Sequence, residues 1–349
     1  MLTRHPLRLA LTLGDPAGIG GEIILKALAD PEIRQLADVV VVGERRILQA
    51  TFEQLRCLSR EPLVDPATIE VLECPSGLSS SWVWGEGNAL TGAASFGYLK
   101  LAVQQAVAGS LAGIVTAPIA KFSWQQAGHN FPGQTEVLAQ LSQTQRYGML
   151  FVATSPFTGD PLRVLLATTH LPLRQVATVL SADLIRQKLD ALVACLRQDF
   201  GLEHPVIAVA GLNPHAGEAG HLGREEVDWL TDTLRHYSHA QIVGPLAPDT
   251  MWIPVAQAWQ GSRPAVADAY VALYHDQGLI PLKMLAFDQA VNMTMGLPFI
   301  RTSPDHGTAF DIAGKGVARC QSLKAAIQLA AKLARQRLEA FSSVFEKKL

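Results

Sequence analysis

Residues 7–29 read LRLALTLGDPAGIGGEIILKALA and contain one complete strand–turn–helix unit. The apolar run Leu7–Leu13 favours a strand, and the helical spacing of apolar residues between Glu22 and Ala29 favours a helix. Asp30-Pro31 then ends the helix, because the residue before a proline disfavours helical backbone angles. Repetition of such units builds a parallel or mixed sheet that is covered by helices.

The same alternation continues along the whole chain. Continuously apolar runs, which are typical of strands covered on both faces, recur between stretches with helical spacing. The further predicted strands are Val39–Gly43, Gly113–Ala117, Leu162–Thr168, Val206–Ala210 and Tyr270–Tyr274, and the predicted helices include Leu184–Phe200 and Ser322–Phe341. At 349 residues the chain is long for one core, so we expect two α/β lobes. Their predicted extents are residues 1–133 plus 303–349 for the first lobe and 134–302 for the second, which holds most of the candidate functional residues described below.

Composition excludes several classes of protein. The net charge of -2 argues against a nucleic-acid or membrane-surface protein, which would show a basic stripe. No apolar run approaches the roughly 20 residues that cross a bilayer. The first residues lead into a strand without a small-residue cleavage site, which indicates no signal peptide. The four cysteines lack C-x-x-C spacing and are expected to be buried thiols in a reducing compartment, so we predict a cytoplasmic location.

Three histidines stand at the ends of predicted strands. His170 ends one apolar run, His215 follows the strand Val206–Ala210, and His275 ends another run. Ligands of open α/β sheets bind at the carboxyl ends of the strands, so these imidazoles are candidates to hold one divalent metal ion. Taken singly, each histidine fits a structural, hydrogen-bonded role better than a metal ligand, and the spacing carries no local metal signature; only the occurrence of all three at strand ends makes the two interpretations comparable.

The glycine-rich turn Gly14–Gly21 joins a strand to a helix and permits two interpretations. Its backbone amides could bind an anion at the helix start. Its glycines could instead only allow close packing. It matches neither G-x-G-x-x-G nor the Walker A pattern, so an ordinary Rossmann cofactor site is not supported.

The segment from Lys283 to Arg301 offers two cations and the amide of Asn292. Such a set suits a small phosphorylated substrate, although two solvated surface cations are the plainer interpretation. The following stretch, Asp305–Gly316, is dense in polar residues and is expected to be a loop that leads into a helix.

Taken together, these motifs closely resemble the 4-hydroxythreonine-4-phosphate dehydrogenases of pyridoxal phosphate biosynthesis, from about residue 7 to about residue 335. The loop from His306 to Gly316 also resembles the cofactor loop of isocitrate and isopropylmalate dehydrogenases. This likeness implies a two-lobed, mixed-sheet α/β/α fold with the active site in the cleft between the lobes. The matching motifs are LTLGDPAGIG at 11–20, TAPIAK at 116–121, ATTHLPL at 167–173, GLNPHAGE at 211–218, YHDQGL at 274–279 and GLPFIRTS at 296–303.

The resemblance implies the activity and the site. It implies NAD- or NADP-dependent oxidation of 4-phosphooxy-L-threonine to 2-amino-3-oxo-4-phosphooxybutanoate, which decarboxylates to 3-amino-2-oxopropyl phosphate. It further implies a homodimer with a shared active site and one divalent ion (zinc, magnesium or cobalt) per site. The implied metal ligands are His170, His215 and His275; the substrate residues are Gln134, Thr135, Lys283, Asn292 and Arg301; and the cofactor residues are His306, Gly307 and Thr308.

One departure and one open role accompany the resemblance. Gln134 replaces the family's usual histidine, and an amide cannot carry a proton or a charge. Lys283 and Asp249 are the candidate catalytic residues, with Asp276 and Lys121 as further possible proton acceptors.

Three alternative functions stay open at this point. A paralogue that oxidises threonate or erythronate 4-phosphate would use the same cations. A phosphate acyltransferase would need no imidazole triad, so the three histidines weigh against it. A two-lobed binding protein would retain the crevice without the catalysis.

Overall fold

The computed structural model describes residues 7–78 and 82–346, and it divides the chain into two compact units. Unit 1 contains the described residues up to Gln145 and from Leu297 onward, and unit 2 contains Arg146–Gly296. The sequence favoured bounds at 133 and 302, and these stay a prediction of the domain organisation. The fold class, α/β with sheets covered by helices, is confirmed.

The bounds of the elements are as follows. The strands are β1 (Arg8–Thr12), β2 (Asp38–Gly43), β3 (Glu70–Glu73), β4 (Gly113–Thr116), β5 (Gly148–Thr154), β6 (Pro161–Leu166), β7 (Val206–Ala210), β8 (Gln241–Leu246), β9 (Ala269–Ala272), β10 (Val291–Met295) and β11 (Ile300–Pro304). The helices are α1 (Gly20–Ala27), α2 (Pro31–Leu36), α3 (Arg45–Leu55), α4 (Ala89–Val107), α5 (Lys121–Gln126), α6 (Gln134–Leu141), α7 (Leu173–Val179), α8 (Ala182–Phe200), α9 (Thr231–Arg235), α10 (Trp252–Trp259), α11 (His275–Ala286) and α12 (Gln321–Glu346).

Unit 1 contains a sheet in the order β3-β2-β1-β4-β11, and all of its pairs are parallel. Strands β1 and β4, in the middle of this sheet, are buried on both faces along almost their whole length, which explains their apolar runs in the sequence. The long helix α12 packs against β11 and β4. The carboxyl ends of β1, β4 and β11 therefore lie side by side, and the loops that follow them begin at Leu13, Ala117 and Asp305.

Unit 2 contains strands in the order β10-β5-β6-β9-β7-β8. β5 runs antiparallel to both β10 and β6, whereas β6, β9, β7 and β8 are mutually parallel. Its core joins strand residues such as Val164 and Ala272 to Leu282 of α11 and Trp259 of α10. The parallel strands place the ends of β6, β7, β8 and β9 at one edge of the sheet, and that edge carries the three strand-end histidines.

The structure favours the packing interpretation of the glycine-rich turn. A Cβ on Gly20 would lie 2.1 Å from the carbonyl oxygen of Leu13, and one on Gly14 would lie 2.4 Å from that of Pro118. The backbone N–H of Gly18 donates to the carbonyl oxygen of Asp15, and the N–H of Ile19 donates to that of Thr308. Because these amides already have partners within the protein, the turn is a tight connection.

Two expectations from the sequence are wrong. The sequence predicted four buried cysteines, but only Cys195 and Cys320 are buried. Cys57 is exposed because it lies at the surface just beyond the end of α3, and Cys74 is half-buried. The stretch up to Gly316 forms turns rather than a helix start, and the next helix, α12, begins only at Gln321. Gly316, like Gly314 before it, has a positive φ angle that a helix does not accept. Among the described residues, no helix is long and apolar enough to span a membrane.

Candidate active site

His170 and His275 lie together at one edge of unit 2. Their strands, β6 and β9, are parallel neighbours, and the pairing continues past β6 because the N–H of Thr168 donates to the carbonyl oxygen of Leu273 at 3.2 Å. Each histidine follows this last paired residue by two positions. Their ring centroids are 5.8 Å apart. The chain therefore brings two of the three candidate metal ligands together.

A cavity of about 280 Å³ lies at these two histidines. One set of lining residues follows β6 and continues into α7, and the other begins α11. The lining residues are Thr169, His170, Leu171, Leu173, Val176, Tyr274, His275 and Asp276. A mixture of two imidazoles, one carboxylate and apolar side chains is typical of a small-molecule site.

The third histidine, His215, lies on a left-handed turn that follows β7. Residues 215–219 have φ angles between 43° and 81°, and four of the five are not glycine. Such residues rarely adopt this conformation, and they cluster at functional sites where the surroundings hold them in place. The exposed imidazole of His215 lies with its Nδ1 3.7 Å from Oδ2 of Asp249, which follows the neighbouring strand β8.

The start of this loop is held by Glu226, a buried residue that the sequence reasoning did not single out. Its Oε1 accepts hydrogen bonds from the backbone N–H groups of Leu212 (2.7 Å) and Asn213 (2.8 Å). Its Oε2 accepts one from the side-chain amide of Asn213 (2.8 Å). Glu226 lies beyond the motif that contains His215, and no local sequence signal indicated its role.

Two of the three imidazoles have a carboxylate beside Nδ1. Nδ1 of His275 lies within hydrogen-bond distance of Oδ1 of Asp276, at 2.7 Å, whereas Nδ1 of His215 lies 3.7 Å from Oδ2 of Asp249, too far for a hydrogen bond. A proton on Nδ1 that faces a carboxylate leaves the lone pair of Nε2 available, which is the usual arrangement of a metal-binding histidine.

The donor set thus has the chemistry of a metal site. Two imidazoles on one ion, with metal–nitrogen bonds of roughly 2.0–2.1 Å, would place their ring centroids roughly 5 Å apart. The separation of 5.8 Å between His170 and His275 is close to that value. Among the described residues of one chain, however, no group of three metal-binding side chains is close enough to hold an ion. The structure therefore groups His170 with His275 but does not add His215 to them.

The other predicted residues of unit 2 lie on α11 and β10. Lys283 is half-buried and lies roughly 12 Å along the helix axis from His275, at 1.5 Å per residue. Asn292 lies on β10, and its Oδ1 is buried without a hydrogen-bond partner among the described residues. An acceptor that is buried in this way is suited to a donor from a ligand.

Unit 1 holds a second set of predicted substrate residues, at the carboxyl end of β4. Arg301, on the neighbouring strand β11, donates from Nη2 to Oγ1 of Thr116 at 2.7 Å. Gln134, at the start of α6, donates from Nε2 to the carbonyl oxygen of Ala117 at 3.3 Å, and buried Thr135 follows it. Burial lowers the pKa of Arg301 to about 10, an effect that the nearby Glu136 opposes, so the guanidinium keeps its charge at neutral pH.

The candidate cofactor residues also belong to unit 1. His306 and Gly307 are exposed, and the carbonyl oxygen of Thr308 accepts the N–H of Ile19 in the glycine-rich turn. Further along, Lys26 of α1 donates from Nζ to the carbonyl oxygens of Gly316 (3.0 Å) and Ala318 (2.7 Å). The end of this loop is therefore fixed to the helix that follows the glycine-rich turn. Lys121, one of the possible proton acceptors, begins α5 and is exposed.

Comparison with known proteins identifies the family. The family model described as pyridoxal phosphate biosynthetic protein PdxA matches residues 35–330. A 4-hydroxythreonine-4-phosphate dehydrogenase of Synechococcus sp. (strain JA-2-3B'a(2-13)) is 65% identical over 328 residues, covering 93% of this chain and 96% of that protein. The relative from Nostoc sp. (strain PCC 7120 / SAG 25.82 / UTEX 2576), with the same name, is 56% identical over 340 residues, covering 95% of this chain and 94% of that protein. A crystal structure of 4-hydroxythreonine-4-phosphate dehydrogenase from Klebsiella pneumoniae is similar with a TM-score of 0.80 and 39% identity, covering 94% of this chain and 99% of that one.

Proposed function

This chain belongs to the family of the pyridoxal phosphate biosynthetic protein PdxA, and on that premise we propose that it oxidises 4-phosphooxy-L-threonine. The reaction would transfer a hydride from the substrate to NAD or NADP, and the 2-amino-3-oxo-4-phosphooxybutanoate formed would lose carbon dioxide to give 3-amino-2-oxopropyl phosphate. The observation that carries the proposal is the pair His170 and His275 at one cavity, in a chain 65% identical to a relative of that name. The class of enzyme, an oxidoreductase of pyridoxal phosphate biosynthesis, follows from the family.

The proposed metal ligands are His170, His215 and His275. When bound, a divalent cation supplies a Lewis acid that lowers the pKa of the substrate hydroxyl group. Imidazole ligands suit zinc and cobalt better than magnesium, which prefers oxygen. Asp276 holds the proton on Nδ1 of His275 and thereby keeps Nε2 of that ring directed away from the carboxylate, while Asp249 places a negative charge 3.7 Å from Nδ1 of His215.

The proposed substrate contacts divide by charge and hydrogen-bonding type. Arg301 and Lys283 bind the anionic groups of the substrate, since Arg301 stays charged at neutral pH. The buried Oδ1 of Asn292 accepts a hydrogen bond from a substrate donor. Gln134 and Thr135 contribute polar contacts at the start of α6. His306, Gly307 and Thr308 are proposed to contact the nicotinamide cofactor, which accepts the hydride.

Proton transfer is proposed to involve Lys283 or Asp249. The pH–rate profiles of Lys283→Met and Asp249→Asn distinguish them, because loss of the proton acceptor removes the corresponding limb of the profile. Loss of a residue that only orients His215 lowers the rate without changing the shape of the profile.

We further propose a homodimer whose two copies share each metal site. One chain groups only His170 with His275 among its described residues, so a second copy has a place in completing the ligand set. Next to the site, α11 and the residue that caps its C-terminus expose an apolar row at helical spacing: Ile280 (58% exposed), Met284 (82%) and Phe287 (67%). Light scattering should report a dimer for the wild type and a monomer for Met284→Glu. Phe157→Glu, an exposed apolar position outside α11, is the matched control and should remain a dimer.

Enzyme assays test the activity directly. Production of reduced cofactor from 4-phosphooxy-L-threonine should stop when a chelator removes the metal and return when the ion is restored. Oxidation of threonate or erythronate 4-phosphate in place of this substrate would overturn the substrate assignment. A mixture of His215→Ala and His275→Ala proteins, each inactive alone, should regain activity if two copies share each site, because a mixed dimer keeps one complete ligand set; continued inactivity would overturn the sharing.

A further inference from the structure

Gln277 connects the two loops that carry His215 and His275. It lies in the first turn of α11, two residues after His275, and is buried. Its Oε1 accepts a hydrogen bond from the backbone N–H of Leu273 at 2.6 Å, and its Nε2 donates to the carbonyl oxygen of Gly211 at 2.7 Å. Leu273 follows β9 and Gly211 follows β7, and these two strands are parallel neighbours.

The hydrogen-bonding partners fix the orientation of this amide. A backbone N–H can only donate and a carbonyl oxygen can only accept, so Oε1 must face Leu273 and Nε2 must face Gly211. A methionine at this position fills a similar volume but makes neither bond. A glutamate has nearly the same shape and retains an acceptor for Leu273, but its carboxylate cannot donate to Gly211.

The link extends along the loop toward the histidine. The N–H of Gly211 donates to the carbonyl oxygen of Leu246 at 2.7 Å, and Glu226 holds the next two backbone N–H groups. The loop is therefore fixed from the end of β7 as far as Asn213. Only the left-handed turn that begins at His215 remains to set the position of the imidazole.

We propose that Gln277 is a positioning residue for the histidine metal site, which fixes the loop of His215 relative to the start of α11. The inference rests on the proposed metal site and deepens it. Gln277 does not touch the ion; it acts through the backbone segments that carry the ligands. Groups that orient metal ligands in this way typically change metal affinity roughly 10–100-fold when they are replaced.

The test measures cobalt binding to purified full-length apoprotein, by the visible absorption of the Co²⁺ complex and by competition with a chelating indicator. Gln277→Met should bind Co²⁺ roughly 10–100-fold more weakly than the wild type and with an altered absorption spectrum. Gln277→Glu, which keeps the shape and one hydrogen bond, should lie between the two, and it serves as the test if the methionine variant does not fold.

A control separates positioning from a general loss of stability. Ser155→Ala removes a buried hydroxyl that donates to the carbonyl oxygen of Trp259 at 2.6 Å. Ser155 belongs to the same unit but follows β5, which is antiparallel to β6, so it lies at the edge of the sheet opposite to the histidines. The melting temperature of this variant should fall, whereas its Co²⁺ affinity and spectrum should match those of the wild type. Unchanged Co²⁺ binding by both Gln277 variants overturns the inference while leaving the metal site intact. Absence of Co²⁺ binding by the wild type overturns the metal site itself.

Discussion

Replacement of Lys26 by methionine should destabilise unit 1 strongly, because it leaves a carboxylate buried without its cation. Nζ of Lys26 lies 2.9 Å from Oε1 of Glu22, one turn earlier on α1, and the two side chains are only 1% and 2% exposed. The same Oε1 accepts the N–H of Ala318 at 2.8 Å. Lysine at position 26 is also the donor to the carbonyl oxygens of Gly316 and Ala318.

The magnitude follows from the burial. Breaking a buried ion pair by removing one partner costs about 3–5 kcal/mol in the free energy of unfolding. For a unit of this size, each kcal/mol shifts the melting temperature by roughly 2–4 °C, so Lys26→Met should melt roughly 6–20 °C below the wild type. The double variant Glu22→Gln/Lys26→Met should recover much of the loss, since the buried charge is gone.

Thermal unfolding followed by near-ultraviolet circular dichroism measures these shifts. Lys324→Met is the matched control, because Lys324 pairs with Asp30 at the same 2.9 Å but both side chains are about a quarter exposed. Ion pairs that solvent screens in this way contribute little to stability, so the melting temperature of Lys324→Met should fall only slightly. A melting shift for Lys26→Met no larger than that of Lys324→Met would refute the reasoning, as would a double variant less stable than the single one.

Three further predictions concern unit 1. Gln134→His should give the KM for substrate a pH dependence with a midpoint near the ordinary histidine pKa of about 6.5, and a KM profile identical to that of the wild type would contradict a role in substrate binding. Burial raises the pKa of Asp15 above its ordinary value of 3.8, so the folded protein binds a proton on this carboxyl group more tightly than the unfolded chain does. The free energy of unfolding therefore falls as the pH rises from 3.8 to the raised pKa of the folded state. Asp15→Asn should therefore become more stable relative to the wild type as the pH rises across that interval, as measured by urea unfolding at each pH. Parallel plots of unfolding free energy against pH for the two proteins would show that the pKa of this carboxyl group does not change on folding. Gly20→Ala should lower the free energy of unfolding by about 1–3 kcal/mol, because its Cβ would lie 2.1 Å from the carbonyl oxygen of Leu13. Gly97→Ala is the control: the nearest atom to its Cβ would lie at 3.6 Å, so the change should be neutral or slightly stabilising. Equal effects of the two substitutions would be inconsistent with this packing.

Local patterns account for what the sequence predicted correctly. The run Val206–Ala210 is a strand with the predicted bounds, because four of its five residues are fully buried and an apolar run records that burial directly. The placement of His170 and His275 after strands followed from the same runs. That the two would be neighbours required the strand order, which places β9 beside β6 although a hundred residues separate them in sequence.

Long-range contacts account for what the sequence could not predict. The bonds from Lys26 to Gly316 and Ala318 join residues separated by 290 and 292 positions, and no local period records them. The supposed helix start before Gly316 failed for a related reason, since that segment is shaped by its contacts with α1. Cys57 was misplaced because residue type alone favours burial and the end of α3 happens to lie at the surface.

The left-handed turn at His215 depends both on local conformational preference and on long-range contacts. Local preference disfavours left-handed angles by roughly 1–2 kcal/mol for each residue that is not glycine, and four of the five residues of the turn are of this kind. A conformation of this cost persists only where its surroundings determine it. Here the surroundings are identifiable, because Glu226 and Gln277 hold the segment that precedes the turn. The sequence motif therefore makes His215 a candidate, whereas buried partners outside the motif hold the segment that leads to it.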